Sequence, residues 1–225
     1  MDKAFRKDYD GEFVYTTVNP TQGNIWQERE WVPNTITNAT HTGHACVIGN
    51  GPSRLKLDLN LVLNHRGGHL GKKRLESYGC NALYRDYAPN FLVVTSREIA
   101  DELAESAYPE NNIVLARNEH IKKHPGKFHL IPHHDYADAG STALRLACFD
   151  GHYKIYMLGF DGQITPNTND NVYSDTAGYQ TKTTTIDDSA WVTQTLVVMN
   201  TYTNVEFVRV MSHDAYPLPE KWKYA

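Results

Sequence analysis

The sequence has little of what marks several specialised classes of protein. It contains three cysteines, Cys46, Cys80 and Cys148, and no CxxC pair, so it indicates neither a disulfide framework nor a paired-cysteine metal site. No stretch approaches the roughly 20 uninterrupted apolar residues that a membrane helix needs. The first residues lead into charged sequence, and we therefore expect no secretory signal. We expect a cytoplasmic protein with reduced, buried thiols.

An excess of positive charge is also missing. The formal net charge is −4, which predicts no strong nucleic-acid footprint. With 225 residues, 40% of them hydrophobic and 21% charged, the chain is long enough for one well-buried core and has the composition of an ordinary globular protein.

Residues 1–44 differ from the rest of the chain. They are polar and rich in Asn and Thr, with strand-like segments at 13–18 and 28–32 around a turn-like Asn-Pro sequence. We predict an N-terminal β-hairpin extension that serves as an edge or interface element, and a homo-oligomer is left open. Residues 45–225 are predicted to form a single domain.

From residue 45 short apolar runs alternate with helical patterns. Ser96 is a good N-cap for a helix over 97–107, Ser141 and Thr142 open a second helix, and Asp188 or Ser189 opens a third. This alternation predicts an α/β, Rossmann-like fold with a mainly parallel, doubly wound sheet. The predicted strands lie at 45–49, 78–83, 91–94, 113–116, 128–131, 155–160 and 205–210.

The polar stretch 162–186 is rich in Thr, Asn and Asp and is too long for a simple connection. Loops of this length are usually functional or disordered, and we predict a lid over a binding site.

Ligands of open α/β sheets bind just beyond the carboxyl ends of the strands. The first predicted strand ends in a loop of Gly49, Asn50, Gly51, Pro52 and Ser53, whose glycines would let the backbone approach a ligand closely. The loop lacks the GxGxxG pattern of dinucleotide-binding proteins.

Other polar groups are expected at the same edge. The second strand delivers Asn81, Ser141 and Thr142 lie at a helix start with free N–H groups, and Asp161 follows the sixth strand. Two carboxamides, an anion-accepting helix start and a carboxylate match the base, phosphate and ribose of a nucleotide. Each residue alone is also common turn or N-cap chemistry, so the prediction depends on their convergence.

Four segments resemble, in the same order, the motifs of bacterial sialyltransferases of the Campylobacter lipooligosaccharide type. They are residues 47–53, 79–84, 139–142 and 155–161. The Gly-Asn-Gly-Pro-Ser loop is similar to that of related uncharacterised, partly phage-encoded proteins and of archaeal pterin pyrophosphokinase-like proteins. The resemblance covers residues 45 to about 161 and does not include residues 1–44.

This resemblance implies a Rossmann-like fold and a metal-independent transfer from CMP-sialic acid, with no cofactor other than the nucleotide-sugar donor. Carried over by position, Asn50 and Asn81 would contact the nucleotide and its leaving phosphate. Ser141 would bind the phosphate or base region, and Asp161 would lie in the ribose pocket. Tyr173 is the best match to the lid tyrosines that contact the leaving phosphate.

The family also places a histidine general base after the lid. Here residues 178–183 read Gly-Tyr-Gln-Thr-Lys-Thr, and no histidine occurs between His152 and His213. His213 follows the last predicted strand, and an imidazole titrates near neutral pH, so we predict His213 as the base. The alternative is an ordinary surface histidine.

We predict no metal site. His129 and His133 are four residues apart, a spacing that would place both on one face of a helix as metal ligands. They lie in a segment predicted to be extended, where this spacing does not bring them together in that way. The leading prediction is a nucleotide-sugar-dependent glycosyltransferase with an unknown acceptor. The alternatives are a pyrophosphokinase-like enzyme, with Mg²⁺ on Asp161 and either Asp135 or Asp138, and a non-catalytic nucleotide-binding module, which the missing lid histidine favours.

Overall fold

The computed structural model describes residues 43–64, 75–131, 137–161, 171–179 and 189–210, and the backbone of three N-terminal strands. These strands form an antiparallel sheet in the order β1-β2-β3. The predicted hairpin is therefore part of a three-stranded sheet. The sequence did not predict β1, because its four residues lack an alternating apolar pattern and only their pairing with β2 defines the strand. The strands are β1 (Asp2–Phe5), β2 (Gly11–Thr17) and β3 (Gln27–Pro33).

A second, seven-stranded sheet is parallel at every pairing and has the order β10-β9-β4-β5-β6-β7-β8. With helices on its faces it is a Rossmann-like α/β sheet, which confirms the predicted fold class. Its strands are β4 (His44–Ile48), β5 (Glu76–Cys80), β6 (Phe91–Val94), β7 (Ile113–Ala116), β8 (His129–Leu130), β9 (Lys154–Leu158) and β10 (Glu206–Val210).

Helices and short 3₁₀ turns connect these strands. Within the described residues no helix is both long and apolar enough to cross a membrane. The helices are α1 (Leu59–Leu63), α2 (Arg97–Glu105), α3 (Tyr108–Asn111), α4 (Asn118–Lys123), α5 (Ala139–Phe149) and α6 (Ser189–Thr201), and the 3₁₀ turns span Pro52–Lys56 and Asn81–Arg85.

Two boundaries correct the sequence prediction. The predicted strand 78–83 ends at Cys80 because Asn81 takes a φ of 46°, in the left-handed region, and starts a 3₁₀ turn. Helix α5 begins at Ala139, ahead of Ser141, because Asp138 caps it. The predicted cap of α2 is confirmed, since the hydroxyl of Ser96 accepts from the amide of Ile99.

The core has two layers because successive side chains of a strand point to opposite faces of the sheet. Ala45 and Val47 of β4 pack in the layer that includes α5 and α6. Cys46 and Ile48 pack in the other layer, with residues from α1, α2 and α4. All four side chains are fully buried. The sheet is thus covered on both faces, as a parallel sheet requires.

The strand order reverses at β4. From β4 the chain moves outward in one direction through β5 to β8, and it then returns to the other side of β4 with β9 and β10. A crevice therefore opens where the connections after β4 and β9 diverge. The two connections begin at Gly49 and Gly159.

A buried polar cluster lies near the amino ends of β5 and β9. The phenol of Tyr78, which is fully buried, donates to Asp150 Oδ2 and lies 3.0 Å from His152 Nε2. His152 Nε2 is 3.1 Å from Glu76 Oε2. The cluster ties β5 to the connection between α5 and β9.

We expect Tyr78→Phe to lower the free energy of unfolding by about 1–3 kcal/mol, because Asp150 would stay buried without this donor. Urea unfolding measures the change. Tyr153→Phe is the matched control, since Tyr153 is 48% exposed and its substitution should cost less than about 0.5 kcal/mol. Equal losses in the two variants would contradict a stabilising role for the cluster.

Candidate functional site

A cavity of about 190 Å³ lies at the point where the strand order reverses. Its walls come from five parts of the chain that are distant in sequence. They are the loop after β4 (49–51), the end of β5 with Asn81, the start of α5 (138–140), the loop after β9 (159–161) and the first turns of α6 (191, 192 and 195), to which Asn171 and Tyr179 add side chains.

Glycines hold the loops after β4 and β9 in backbone contact. The amide of Gly49 donates to the carbonyl of Leu158 (2.8 Å), and that of Gly51 donates to the carbonyl of Gly159 (3.0 Å). A Cβ on Gly49 would lie 2.5 Å from the carbonyl oxygen of Gly159, and one on Gly51 would lie 2.1 Å from Asp161 Oδ2. The close approach that these glycines allow in the structure is therefore between two loops, whereas the sequence predicted an approach to a ligand.

Asn50 lines the cavity and has one polar atom that is unpaired in the described part of the chain. Its Nδ2 donates to the carbonyl of Cys80 (3.2 Å) and lies 3.4 Å from the Tyr179 hydroxyl. Since a carbonyl can only accept, this contact fixes the orientation of the amide. Its Oδ1 is buried and has no hydrogen-bond partner among the described residues. The free end of Asn50 is therefore a hydrogen-bond acceptor.

Asn81 has the opposite arrangement. Its Oδ1 accepts from the amides of Thr95 (3.0 Å) and Ser96 (3.4 Å), which ties the end of β5 to the loop after β6. Its amino group is thus the end that can donate to a ligand, and its side chain also contacts Tyr179.

The two lid tyrosines lie in different surroundings. Tyr179 lines the cavity, and burial raises the pKa of its phenol to about 12, so the hydroxyl keeps its proton at neutral pH. Tyr173 is not among the lining residues; it is buried, and its hydroxyl donates to Asp86 Oδ2 (2.7 Å). The structure thus separates Tyr173 from the cavity and brings Tyr179 to it. The sequence offered one signal for Tyr179, a large aromatic residue in a polar stretch.

Asp161 is the best-placed carboxylate. It is 4% exposed, its Oδ2 accepts from the amide of Ser53 (2.9 Å), and its Oδ1 has no hydrogen-bond partner within the described part of the chain. Arg209 lies behind it, with Nη2 3.9 Å from Oδ1 and donating to the Asp161 carbonyl (2.9 Å). Burial lowers the pKa of Arg209, and Asp161 opposes this shift. Sequence reasoning missed Arg209, although a charged residue within an apolar strand signals a buried ion pair.

The start of α5 is not an open anion pocket, which corrects the prediction for Ser141 and Thr142. Asp138 accepts from the amide of Ser141 (3.0 Å) on Oδ1 and from its hydroxyl (2.6 Å) on Oδ2. The hydroxyl of Thr142 donates to the Asp138 carbonyl (2.7 Å). A carboxylate of the chain itself therefore occupies the helix terminus. Ser53, Ser141 and Thr142 are buried and are not among the lining residues.

The charged side chains that line the cavity are acidic. Asp138 and Asp161 line it, and its described lining includes no Lys, Arg or His. Arg54 and Arg209 lie behind the wall, on Gly49 and Asp161 respectively. A ligand that offers hydrogen-bond donors therefore matches the wall better than an anion does.

The thiol of Cys80 lines the cavity but is not a nucleophile at neutral pH. Burial raises its pKa to about 12, so it stays neutral. Cys46, Cys80 and Cys148 are all free and buried, which confirms the prediction of buried, unpaired thiols.

Several predicted features lie partly or wholly outside the described residues. His213 is outside them, as are Asp135 and His133. The predicted lid 162–186 is described only over 171–179, and this part packs against the body, with the amide of Val172 donating to the Asn50 carbonyl (2.8 Å).

Comparison with known proteins gives structural similarity alone. No protein-family model matches the chain. No curated protein matches it at the level of sequence. Three solved structures show partial structural similarity at low sequence identity, and they assign no role to any residue here. They are the monofunctional α-2,3-sialyltransferase Cst-I from Campylobacter jejuni (TM-score 0.48, 12% identity, 80% of this chain and 81% of that chain), a variant of the sialyltransferase CST-II in complex with CMP (0.48, 11%, 76% and 83%), and the sialyltransferase CstII from Campylobacter jejuni with the substrate analogue cytidine-5'-monophosphate (0.42, 12%, 76% and 80%).

We expect Gly51→Ala to destabilise the protein by about 3 kcal/mol, because its Cβ would overlap Asp161 and the carbonyl of Gly159 in a packed region. The backbone of Gly51, with a φ of −70°, suits alanine, so the cost comes from this overlap. Thermal unfolding measures the loss.

The control is Gly126→Ala. A Cβ there meets nothing within 4 Å, and only the φ of +78° opposes it, at a cost of about 1 kcal/mol. A loss at Gly51 no greater than at Gly126 would mean that the two loops are not packed as described.

Proposed function

We propose that the protein is a nucleotide-sugar-dependent glycosyltransferase of the sialyltransferase-like type, with a CMP-linked donor whose nucleoside lies in the cavity. One observation carries the proposal. Asn50 and Asp161 both line the cavity, and each has one buried acceptor oxygen, Oδ1, that has no hydrogen-bond partner among the described residues. Buried polar atoms are normally paired, so a ligand that supplies two donors is the simplest explanation.

The nucleoside part of a nucleotide supplies such donors. Ribose hydroxyls would donate to Asp161, and an amino group of the base would donate to Asn50. The cavity of about 190 Å³ is smaller than the roughly 300–1,000 Å³ of pockets that enclose a whole ligand. We therefore assign it to the nucleoside, with the donor sugar outside it.

Tyr179 and Asn81 are the proposed ligands of the leaving phosphate. Tyr179 keeps its proton at neutral pH because burial raises its pKa to about 12. The side-chain oxygen of Asn81 accepts from the amide of Thr95, so its amino group is the end that can donate to a phosphate. Glycosyl transfer leaves negative charge on the departing phosphate, and donors held in place for that charge stabilise the transition state. The phosphate role that the sequence suggested for Tyr173 and Ser141 is not part of this proposal, because their hydroxyls donate to Asp86 and Asp138.

The proton acceptor remains a proposal from sequence. His213 is proposed as the general base for the acceptor hydroxyl, on the ground that histidine is the side chain that ordinarily accepts a proton near neutral pH and that His213 follows β10 in the sequence. The acceptor itself is not assigned.

A pyrophosphokinase-like function is the second candidate, and one observation favours it. Asp138 and Asp161 both line the cavity, and carboxylates are preferred Mg²⁺ ligands. Both oxygens of Asp138 already accept from Ser141, however. In the described part of the chain no three His, Cys, Asp or Glu side chains group as metal ligands. The available ligand set therefore supports metal-independent transfer better. A non-catalytic nucleotide-binding protein is the remaining alternative.

A thermal-shift panel of CMP, CMP-sialic acid, UMP and ATP, each with Mg²⁺ or with EDTA, tests the proposal. We expect CMP and CMP-sialic acid to stabilise the fold by about 2.7 kcal/mol at a hundred times Kd, equally in Mg²⁺ and EDTA. Stabilisation by ATP that requires Mg²⁺ would favour the pyrophosphokinase-like function. Binding of CMP without turnover of CMP-sialic acid would favour the non-catalytic alternative.

Asp161→Asn tests the ribose contact. The new side chain can still accept from the amide of Ser53, but the atom at the place of Oδ1 becomes a donor that cannot accept from a ribose hydroxyl. We expect CMP affinity to fall about tenfold or more, as measured by calorimetry. The control is a change in the ligand, 2'-deoxy- and 3'-deoxy-CMP. One of these deoxy ligands should bind the unmodified protein more weakly than CMP does. The same ligand should bind the Asp161→Asn variant almost as well as it binds the unmodified protein. If the affinity loss from Asp161→Asn and the loss from removing a hydroxyl add fully for both deoxy ligands, the ribose does not contact Asp161.

A further inference from the structure

Tyr173 is buried near two arginines that come from the turns after β4 and β5. The guanidinium carbon of Arg54 lies 5.2 Å from the centre of the Tyr173 ring, and that of Arg85 lies 5.9 Å from it. Arg54 belongs to the 3₁₀ turn that follows Asn50, and Arg85 ends the turn that begins at Asn81. Tyr173 is 5% exposed. Tyr173 thus contacts residues of the two turns that carry the lining residues, and it does not line the cavity itself.

Residues 171–179, called the strap below, are fixed by further hydrogen bonds. Arg85 donates from Nη1 to the hydroxyl of Thr176 and from Nη2 to the carbonyl of Ala177, both at 2.8 Å. Arg85 is itself held by an ion pair with Glu102 of α2. The hydroxyl of Tyr173 donates to Asp86 Oδ2. The strap is therefore tied to the body through one 3₁₀ turn and its neighbour.

Tyr179, the last residue of the strap, lines the cavity. The amide of Tyr179 donates to the carbonyl of Thr176 (2.9 Å), and its carbonyl accepts from the amide of Asp175 (3.0 Å), so the turn is closed on itself. The Tyr173 and Tyr179 rings lie 6.1 Å apart. A shift of Tyr173 would therefore carry Tyr179 with it.

We propose that Tyr173, Arg54, Arg85 and Asp86 form a clamp that positions Tyr179 across from Asn50, and that Tyr173 is a positioning residue which does not touch the ligand. The clamp gives the two loops of the cavity a common support, since each loop supplies one arginine to the same ring. Cation–π pairs of this kind are stronger when they are desolvated, as the pair of Arg54 with Tyr173 is, since both residues are buried. The ligand-binding part of this proposal rests on the proposed function, whereas the clamp itself does not.

Hydrogen exchange of the ligand-free protein tests the clamp directly. Tyr173→Phe keeps the ring and removes the hydroxyl, with its bond to Asp86 and its polar contact with Arg54, and it should lower the protection of the amides of residues 172, 175 and 179 about fivefold. Asp86→Ala, a change at an exposed residue, should have the same effect. Tyr108→Phe is the control, because its buried hydroxyl has no hydrogen-bond partner among the described residues, and the protection of the strap should not change. Unchanged protection in both Tyr173→Phe and Asp86→Ala would overturn the clamp.

A double-mutant cycle with CMP as the probe distinguishes positioning from direct contact. Tyr173→Phe should weaken CMP binding about fivefold, and the Tyr173→Phe, Tyr179→Phe double variant should bind no more weakly than Tyr179→Phe alone, because Tyr173 acts through Tyr179. Fully additive losses would mean that Tyr173 contacts the ligand itself and would overturn the positioning role. If CMP does not bind the unmodified protein, the proposed function fails, and the exchange measurement alone still decides the clamp.

Discussion

The candidate site depends on the backbone contact between the loops after β4 and β9. Parallel pairing normally ends with the strands, but here the hydrogen bonds of Gly49 and Gly51 carry it past them to Leu158 and Gly159. This contact needs glycine, since a Cβ on either loop would overlap the other backbone. Because the two loops stay together at the place where the strand order reverses, Asn50 and Asp161 face one cavity.

Structural hydrogen bonds decide what each polar side chain can offer to a ligand. The amino group of Asn50 donates to the Cys80 carbonyl, so its oxygen is the end that can accept from a ligand. The oxygen of Asn81 accepts from two backbone amides, so its amino group is the end that can donate. Leaving Asn50 Oδ1 and Asp161 Oδ1 buried without a hydrogen-bond partner among the described residues costs about 1–3 kcal/mol each. A ligand with matching donors would recover this energy on binding.

Positive charge lies behind the cavity wall rather than in it. Arg54, Arg85 and Arg209 each donate to a backbone carbonyl near the site and do not line the cavity. They hold the loops in place, while the surface that a ligand meets carries the carboxylates of Asp138 and Asp161. The cavity is therefore preorganised by arginines outside its lining, and acceptor groups belong to the lining itself, a combination suited to hydroxyl and amino groups.

The sequence by itself determined the sheet, because apolar runs and helix caps are local signals. The strands Phe91–Val94 and Ile113–Ala116 and the cap at Ser96 lie as predicted. Topology then brought Asn50, Asn81 and Asp161 to one edge, also as predicted. The tertiary structure alone decided which atoms are free and which tyrosine enters the cavity. Those outcomes depend on contacts between residues far apart in the chain, such as Ser53 with Asp161, 108 positions apart, and Asn50 with Tyr179, 129 apart. No local pattern encodes such contacts, since they form only when the two loops pack against each other.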